Sequence, residues 1–409
     1  MSDYITDGKG RNTMVKKLQP KLRFRGFTDA WEQRELKTLM KEVDEISSDG
    51  EILSVTVANG IYPARNGAKE SNPGESINRY KVVRIDDIVY NSMRLWQGAI
   101  GISDYKGIVS PAYTVCQVKQ GADARFCAYL LRRYPVLCEF YKYSQGNSKD
   151  TLILKYPEFS RITVTISPSI IEQHEIANAL ERIDSLIAAE KRKLLLLEQK
   201  REAYSQKVFS YGSHHGEDAK HWKTMRLGDI ATRITRRNKG RSNLPLTISA
   251  RDGLIDQRHF FSKQVASKNL DNYILLQRGE FAYNKSTSSD SPWGTIKCLG
   301  RYDQGCVSTL YICFSTHSVD PQFITTLFNS PIWHREIQAI ATEGARNHGL
   351  LNISPKDFFD IQLQIPDSLS EQKHIGRFFA AYEQLIRQTA KRIGLLEKKK
   401  KALLQTMFI

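Results

Sequence analysis

Apolar residues recur at steps of three and four along Ser169 to Phe209, and again along Ser368 to Phe408. In the first stretch Ile176, Leu180, Ile183, Ile187, Leu194, Leu197, Tyr204 and Val208 share one seam; in the second, Ile375, Phe379, Tyr382, Ile386, Ile393, Leu396, Leu403 and Met407 do. That spacing predicts two long helices, each burying a stripe as in a coiled coil. One gapless offset carries Glu172-Gln173 onto Glu371-Gln372, Leu196-Leu197-Glu198 onto Leu395-Leu396-Glu397, and Phe209 onto Phe408, so the two stretches are copies. Each helix of about 40 residues spans roughly 60 Å. Burying a large apolar side chain contributes roughly 1.5 to 3 kcal/mol, which favours pairing of the two helices over separate packing of each on its own domain. Glu190 and Arg201 interrupt the first seam, and Thr389 and Lys400 the second. A polar gap repeated in both copies suggests contacts to a partner protein, although lysine and arginine stems also snorkel.

Ahead of the first helix the pattern changes to short alternating runs. Ile52 to Ala58, Tyr80 to Ile85, Ile88 to Tyr90, Ile108 to Gln117 and Ile162 to Ile166 read as strands, and Ala124 to Arg133 as a helix ended by Pro135. The later segment repeats this plan more loosely: Trp31 and Leu36 answer to Trp222 and Leu227, Val89-Tyr90-Asn91 to Ala282-Tyr283-Asn284, and GIVSPAYTVC to GCVSTLYICF. The fold class expected is mixed α+β, with two globular domains, each a strand-rich core with a few helices, and two long helices. The boundaries are an N-terminal arm at 1–20, domains at 21–167 and 220–366, helices at 168–211 and 367–409, and a linker at 212–219.

The chain has 409 residues and a formal charge of +16, which favours an anionic partner, nucleic acid first and a membrane surface second. No run of 18 apolar residues and no signal-peptide core is present, so a cytoplasmic protein without a membrane partner is expected. Cys116, Cys127, Cys138, Cys298, Cys306 and Cys313 form no CxxC pair and read as reduced, buried thiols rather than zinc ligands. His214-His215 lacks a third spaced ligand, so no metal is expected. Phosphate loops, HExxH and GxSxG are missing; Gly98-Ala-Ile-Gly101 is too short for a dinucleotide fingerprint. Ser110-Pro-Ala-Tyr113 lacks the Asn or Asp of a base-holding methyltransferase tetrapeptide, and it reads as strand core, as does Ser308-Thr-Leu-Tyr311. No catalytic residue emerges, and no cofactor is expected in this chain.

Basic and amide-rich loops lie at matching places instead. Asn91, Arg94, Trp96 and Gln97 follow one strand; Asn284, Lys285, Ser286 and Trp293 follow its counterpart. A second pair holds Asn147 and Lys149 in one copy, and Arg346, Asn347 and His348 in the other. Arg233, Arg236, Arg237, Lys239 and Arg241 form an acid-free basic run. Such side chains can read base edges or hold phosphate.

The order of variable segment and helix, repeated, together with PSIIEQ at 168–173, PDSLSEQ at 366–372 and the run GIVSPAY, resembles the specificity subunit of type I restriction-modification systems over nearly the whole chain. The resemblance implies that each globular segment is a target recognition domain reading one half of a split double-stranded DNA site. It implies helices paired antiparallel as a spacer, docking two methyltransferase subunits that bind S-adenosylmethionine and methylate adenine, with restriction (motor-nuclease) subunits joining for cleavage. By itself the chain would be non-catalytic. A self-sufficient DNA methyltransferase or nuclease, and a coiled-coil scaffold without sequence readout, are the alternatives.

Overall fold

In a computed structural model, which describes residues 4–6, 12–14, 18–67, 74–211, 221–249, 252–260, 269–289, 291–341 and 349–409, the seam-bearing stretches form helices Ile170–Tyr211 and Leu369–Thr406. Each starts just after a serine, Ser169 or Ser368, whose hydroxyl lies 3.4 or 3.5 Å from the backbone N–H of Glu172 or Glu371. That is the serine-to-glutamate spacing of a helix start.

The chain divides into two units, residues 1–189 with 392–409, and residues 190–391. Each therefore contains one globular segment and part of each long helix. The first has a four-stranded antiparallel sheet in the order Met40–Glu42, Tyr113–Val118, Ile88–Asn91, Ile100–Ile102. The second has the same sheet in the same order: Ala231–Ile234, Ile312–Thr316, Phe281–Asn284, Thr295–Cys298. Three two-stranded pairings also recur. Glu32–Glu35 with Thr163–Ile166 matches Trp222–Arg226 with Gln362–Pro366. Lys81–Val83 with Gly107–Val109 matches Ile274–Gln277 with Gln304–Val307. Leu53–Thr56 with Gly60–Pro63 matches Leu246–Ser249 with Gly253–Asp256. Tyr4–Thr6 pairs with Asn12–Met14 inside the expected N-terminal arm.

Two sequence expectations are corrected. The run from Ile108 to Gln117 is two strands, because Ser110-Pro111-Ala112 turns the chain: Pro111 has no N–H for a ladder, and the Tyr113 N–H closes onto the Ser110 carbonyl at 2.9 Å. Pro111 and Ala112 are exposed, as are Thr309 and Leu310 in the matching turn, so neither tetrapeptide is strand core. The helix expected to Arg133 is Ala124–Leu131, and Pro135 sits in the first turn of a further helix, Tyr134–Tyr143. A first-turn proline loses no helical hydrogen bond.

A matching aromatic group closes each core. In the first unit Phe408 stacks on Phe126 at 5.1 Å and meets Trp31 edge-on at 6.1 Å. In the second, Phe209 meets Trp222 at 6.3 Å and Phe323 at 6.1 Å. The C-terminal phenylalanine of each long helix is thus a core residue of a globular segment. Such contacts add about 0.5–1.5 kcal/mol each beyond area burial.

The Glu-Gln pair that marks both helix starts is the joint between helix and globular segment. The Gln173 Oε1 accepts the backbone N–H of Asp123 at 2.9 Å, and the Gln372 Oε1 accepts that of Asp320 at 2.8 Å. Asp123 and Asp320 in turn cap helices Ala124–Leu131 and Pro321–Asn329, accepting from Phe126 N and Phe323 N. The indoles of Trp31 and Trp222 donate to Glu172 and Glu371 at 3.2 and 2.9 Å. Among the described residues Glu172, unlike Glu371, also receives Arg23, at 2.5 and 2.8 Å, and Ser167, at 2.5 Å. Burial by itself would raise its carboxyl, but the hydrogen bonds and charge of Arg23 together with Ser167 hold it below the usual range.

In both units the long helices run antiparallel. Asp184 meets Lys400 while Ile176 and Leu180 share a core with Met407 and Phe408. Arg201 meets Glu383, and Phe209 stacks on Phe379 at 6.4 Å. Along the seam Ile176, Leu180, Ile183, Ile187, Phe379, Ile393 and Met407 are buried, and Leu194, Leu197, Ile375, Tyr382, Ile386 and Leu396 are half-buried. Tyr204 is 41% exposed, its ring edge-on to Phe378 and Tyr382.

Candidate nucleic-acid interface

Asn91 and Asn284 each end a strand of the four-stranded sheet and turn the chain the same way. The Asn91 Oδ1 accepts from Met93 N, and the Asn284 Oδ1 from Ser286 N, both at 3.0 Å. Both loops close on a left-handed glycine, Gly98 (φ 94°) or Gly294 (φ 78°). A Cβ at Gly294 would fall 2.4 Å from the Asn284 carbonyl, so only glycine fits there.

The two loops expected separately from the sequence lie side by side in the first unit, and in the second the described end of the later loop, from Gly349, meets the earlier one. Ser92 O accepts from Leu154 N at 2.8 Å, while Gln145 bridges Ile153, which places the Asn147–Lys149 loop beside the Arg94 loop. In the second unit Lys285 O accepts from Leu351 N at 3.0 Å, and Thr287 N donates to Gly349 O at 2.8 Å. Arg346, Asn347 and His348 lie outside the described residues, as do His214 and His215.

Arg94, Gln97, Asn147 and Lys149 are exposed, as is Ser286. Trp96 and Trp293 are not free stacking platforms. Trp96 is half-buried and edge-on to Tyr141 at 5.7 Å, and Trp293 packs on the second core while its carbonyl accepts from the Tyr283 hydroxyl at 2.9 Å. Lys285 is half-buried, with its ammonium 3.3 Å from the Ile353 carbonyl.

The basic run is split by its surroundings. Arg236 is paired with Glu280 at 2.7 Å, and Arg237 donates to the Asn272 carbonyl at 2.5 Å. Asn238 is buried, its amide bonded to the Ser242 and Leu270 carbonyls. Arg233, Lys239 and Arg241 remain exposed. A composition signal could not separate these roles, because Glu280 and Asn272 are remote in sequence.

The seam interruptions are also reassigned. Arg201 and Lys400 are filled from within the chain: Arg201 pairs with Glu383 at 2.7 Å, and Lys400 with Asp184 at 2.6 Å. Glu383 is the repeat counterpart of Asp184, so these are one ion pair occurring twice. Tyr129 adds its hydroxyl to Asp184 at 2.8 Å. Glu190 and Thr389 are buried, 9% and 3% exposed. Other apolar side chains of the helices face outward: Leu186, Leu196, Leu385 and Leu395, at equivalent places in the two helices, are 46, 55, 38 and 58% exposed.

The chemistry elsewhere is quiet. No disulfide joins the cysteines; burial pushes the Cys127 and Cys313 thiols up to about 12, and those of Cys298 and Cys306 up to about 11. Thiols so shifted are poor nucleophiles. Among the described residues no cluster of His, Cys, Asp and Glu could hold a metal ion, and no helix is long and apolar enough to cross a membrane.

No protein-family model matches the chain, and no curated protein does. Among solved structures it is similar to the type I restriction-modification S subunit from M. genitalium, with 15% identity and a TM-score of 0.62, over 96% of this chain and 99% of that one. It is also similar to the HsdS subunit from Thermoanaerobacter tengcongensis, at 14% identity and a TM-score of 0.44, over 92% of this chain and 96% of that one. The repeated four-stranded sheets, the antiparallel helices and the full-length match agree: the chain has the fold of a type I restriction-modification S subunit.

Proposed function

We propose that the chain is a non-catalytic, sequence-specific reader of double-stranded DNA, with one half-site for each globular domain and the paired helices as the spacer. It scaffolds two methyltransferase subunits, which bring S-adenosylmethionine, and the restriction subunits. The observation that carries this reading is the asparagine-turned loop occurring twice on the same scaffold with different side chains: Ser92, Met93 and Arg94 stand in one copy where Lys285, Ser286 and Thr287 stand in the other. One frame with two sets of side chains suits two different short sequences. Exposed Arg233, Lys239 and Arg241, within a chain of charge +16, suit the phosphate contacts that give salt-sensitive, sequence-independent affinity.

The test is modularity. Arg94→Ala in the full complex is expected to cost about 1–3 kcal/mol and relax preference in one half-site only. Arg241→Ala is expected to weaken binding to all duplexes and lower the salt slope by about 1. Both are read by equilibrium binding across a salt series with duplexes altered in one half-site at a time. Loss of preference in both half-sites with Arg94→Ala contradicts the modular reading.

A further inference from the structure

A cavity of about 380 Å³ opens in the first unit beside the paired loops, walled by Ser92 and Met93, by Pro111, Ala112 and Thr114, and by Ile153, Lys155, Tyr156 and Pro157, with Glu42 and Lys81 also lining it. The hydroxyls of Ser92 and Thr114 are 3.1 Å apart, and either can donate, so the pair offers both a donor and an acceptor. Lys81 is held between Glu42 at 3.4 Å and Asp44 at 2.7 Å, and with the exposed Lys155 on the wall these charges cancel in formal sum. Prolines, Ile153 and the Tyr156 ring supply flat apolar walls. The volume lies at the small end of ligand pockets, about 300–1,000 Å³. Mixed donors and acceptors between flat walls, without a dominant charge, suit a planar heterocycle better than a phosphate.

The second unit handles the same place differently. Ser92 and Lys285 each follow the asparagine that ends the strand, and the Lys285 stem runs inward so that its ammonium reaches the Ile353 carbonyl. The counterpart of Thr114 is Ile312, buried at 4% exposure. Two hydroxyl residues in the first unit, Ser92 half-buried and Thr114 at 4% exposure, stand where the second unit carries a lysine and an isoleucine.

We propose that this cavity receives one nucleobase of the first half-site, turned out of the duplex, and that Ser92 and Thr114 read its edge. A pocket walled on several sides admits a base only once it has left the stack. This rests on the DNA-reading function proposed above, and the experiment separates the two. The full complex with its methyltransferase is made with wild-type chain, Ser92→Lys, and the milder pair Ser92→Ala with Thr114→Val, and methylated sites are mapped. Preference at one base position of the first half-site is expected to relax several-fold in both variants, with the second half-site unchanged. 2-Aminopurine at that position is expected to brighten on binding wild type and to stay dim with Ser92→Lys. A uniform loss of affinity with preference intact, as from a structural or phosphate-binding role, overturns the proposal, and so does relaxed preference without 2-aminopurine brightening. Bipartite sites with preference unchanged in both variants sink the pocket alone; no bipartite sites with wild type sink the DNA-reading function itself.

Discussion

Glu172→Ala is expected to destabilise the first unit by about 3–5 kcal/mol, the range for removing one partner of a buried ion pair. The carboxylate side chain is fully buried and serves Arg23, Ser167 and the Trp31 indole at once. Its loss strands a guanidinium that is only 12% exposed. Glu371→Ala, at the matching joint, removes the bond from Trp222 on a half-buried carboxylate and is expected to cost about 0.5–1.5 kcal/mol. Replacing both members, as Arg23→Met with Glu172→Leu, is expected to recover most of the loss, because the cost lies in the unpaired charge. Urea unfolding followed by tryptophan fluorescence checks all three, and equal effects at Glu172 and Glu371 contradict the account.

The same site sets a pH dependence. A carboxyl held below its ordinary value favours the folded state when ionised, so its contribution is complete above the unfolded value of about 4.3 and is lost as pH falls through the lower folded value. The stability gap between wild type and Glu172→Gln is therefore expected to be constant near neutral pH and to close in acid.

Deleting one matching heptad from each long helix is expected to abolish specific binding at the parental spacing, a loss of about 10³-fold or more toward non-specific affinity. Seven residues at about 1.5 Å each shorten the helices by roughly 10 Å, about three base pairs at 3.4 Å. Binding is expected to return on duplexes with the shorter gap. The deletion must be matched, because Asp184 with Lys400 and Arg201 with Glu383 fix one antiparallel register, and trimming one helix alone parts one pair from the other. An unchanged spacing optimum shows that the helices are not the spacer.

The long helices were legible because a repeat of three and four over about 40 residues has no strand alternative, and the duplication confirmed it internally. The Glu-Gln marker was visible as a signature, but its role was not: Asp123 and Trp31, the groups it binds, become neighbours only in the fold. Glu32–Glu35 escaped detection because it pairs with Thr163–Ile166 while leaving its own side chains exposed or half-buried, with no apolar alternation to read. Arg201 and Lys400 looked like docking residues because their acidic partners lie on the other helix, and only the antiparallel register brings them together. In the site, loop positions followed from the repeat. Which side chains are free depends on tertiary neighbours: Arg236 and Trp96 are engaged within the fold, while Arg94 and Arg241 are exposed.

The central claim is that two globular domains read two separated pieces of DNA. Mapping methylated adenines across a genome in cells that express this chain with its methyltransferase tests it most directly. The account predicts a single asymmetric target made of two short defined sequences separated by an unread gap of constant length. A contiguous target, or methylation without sequence preference, would contradict it.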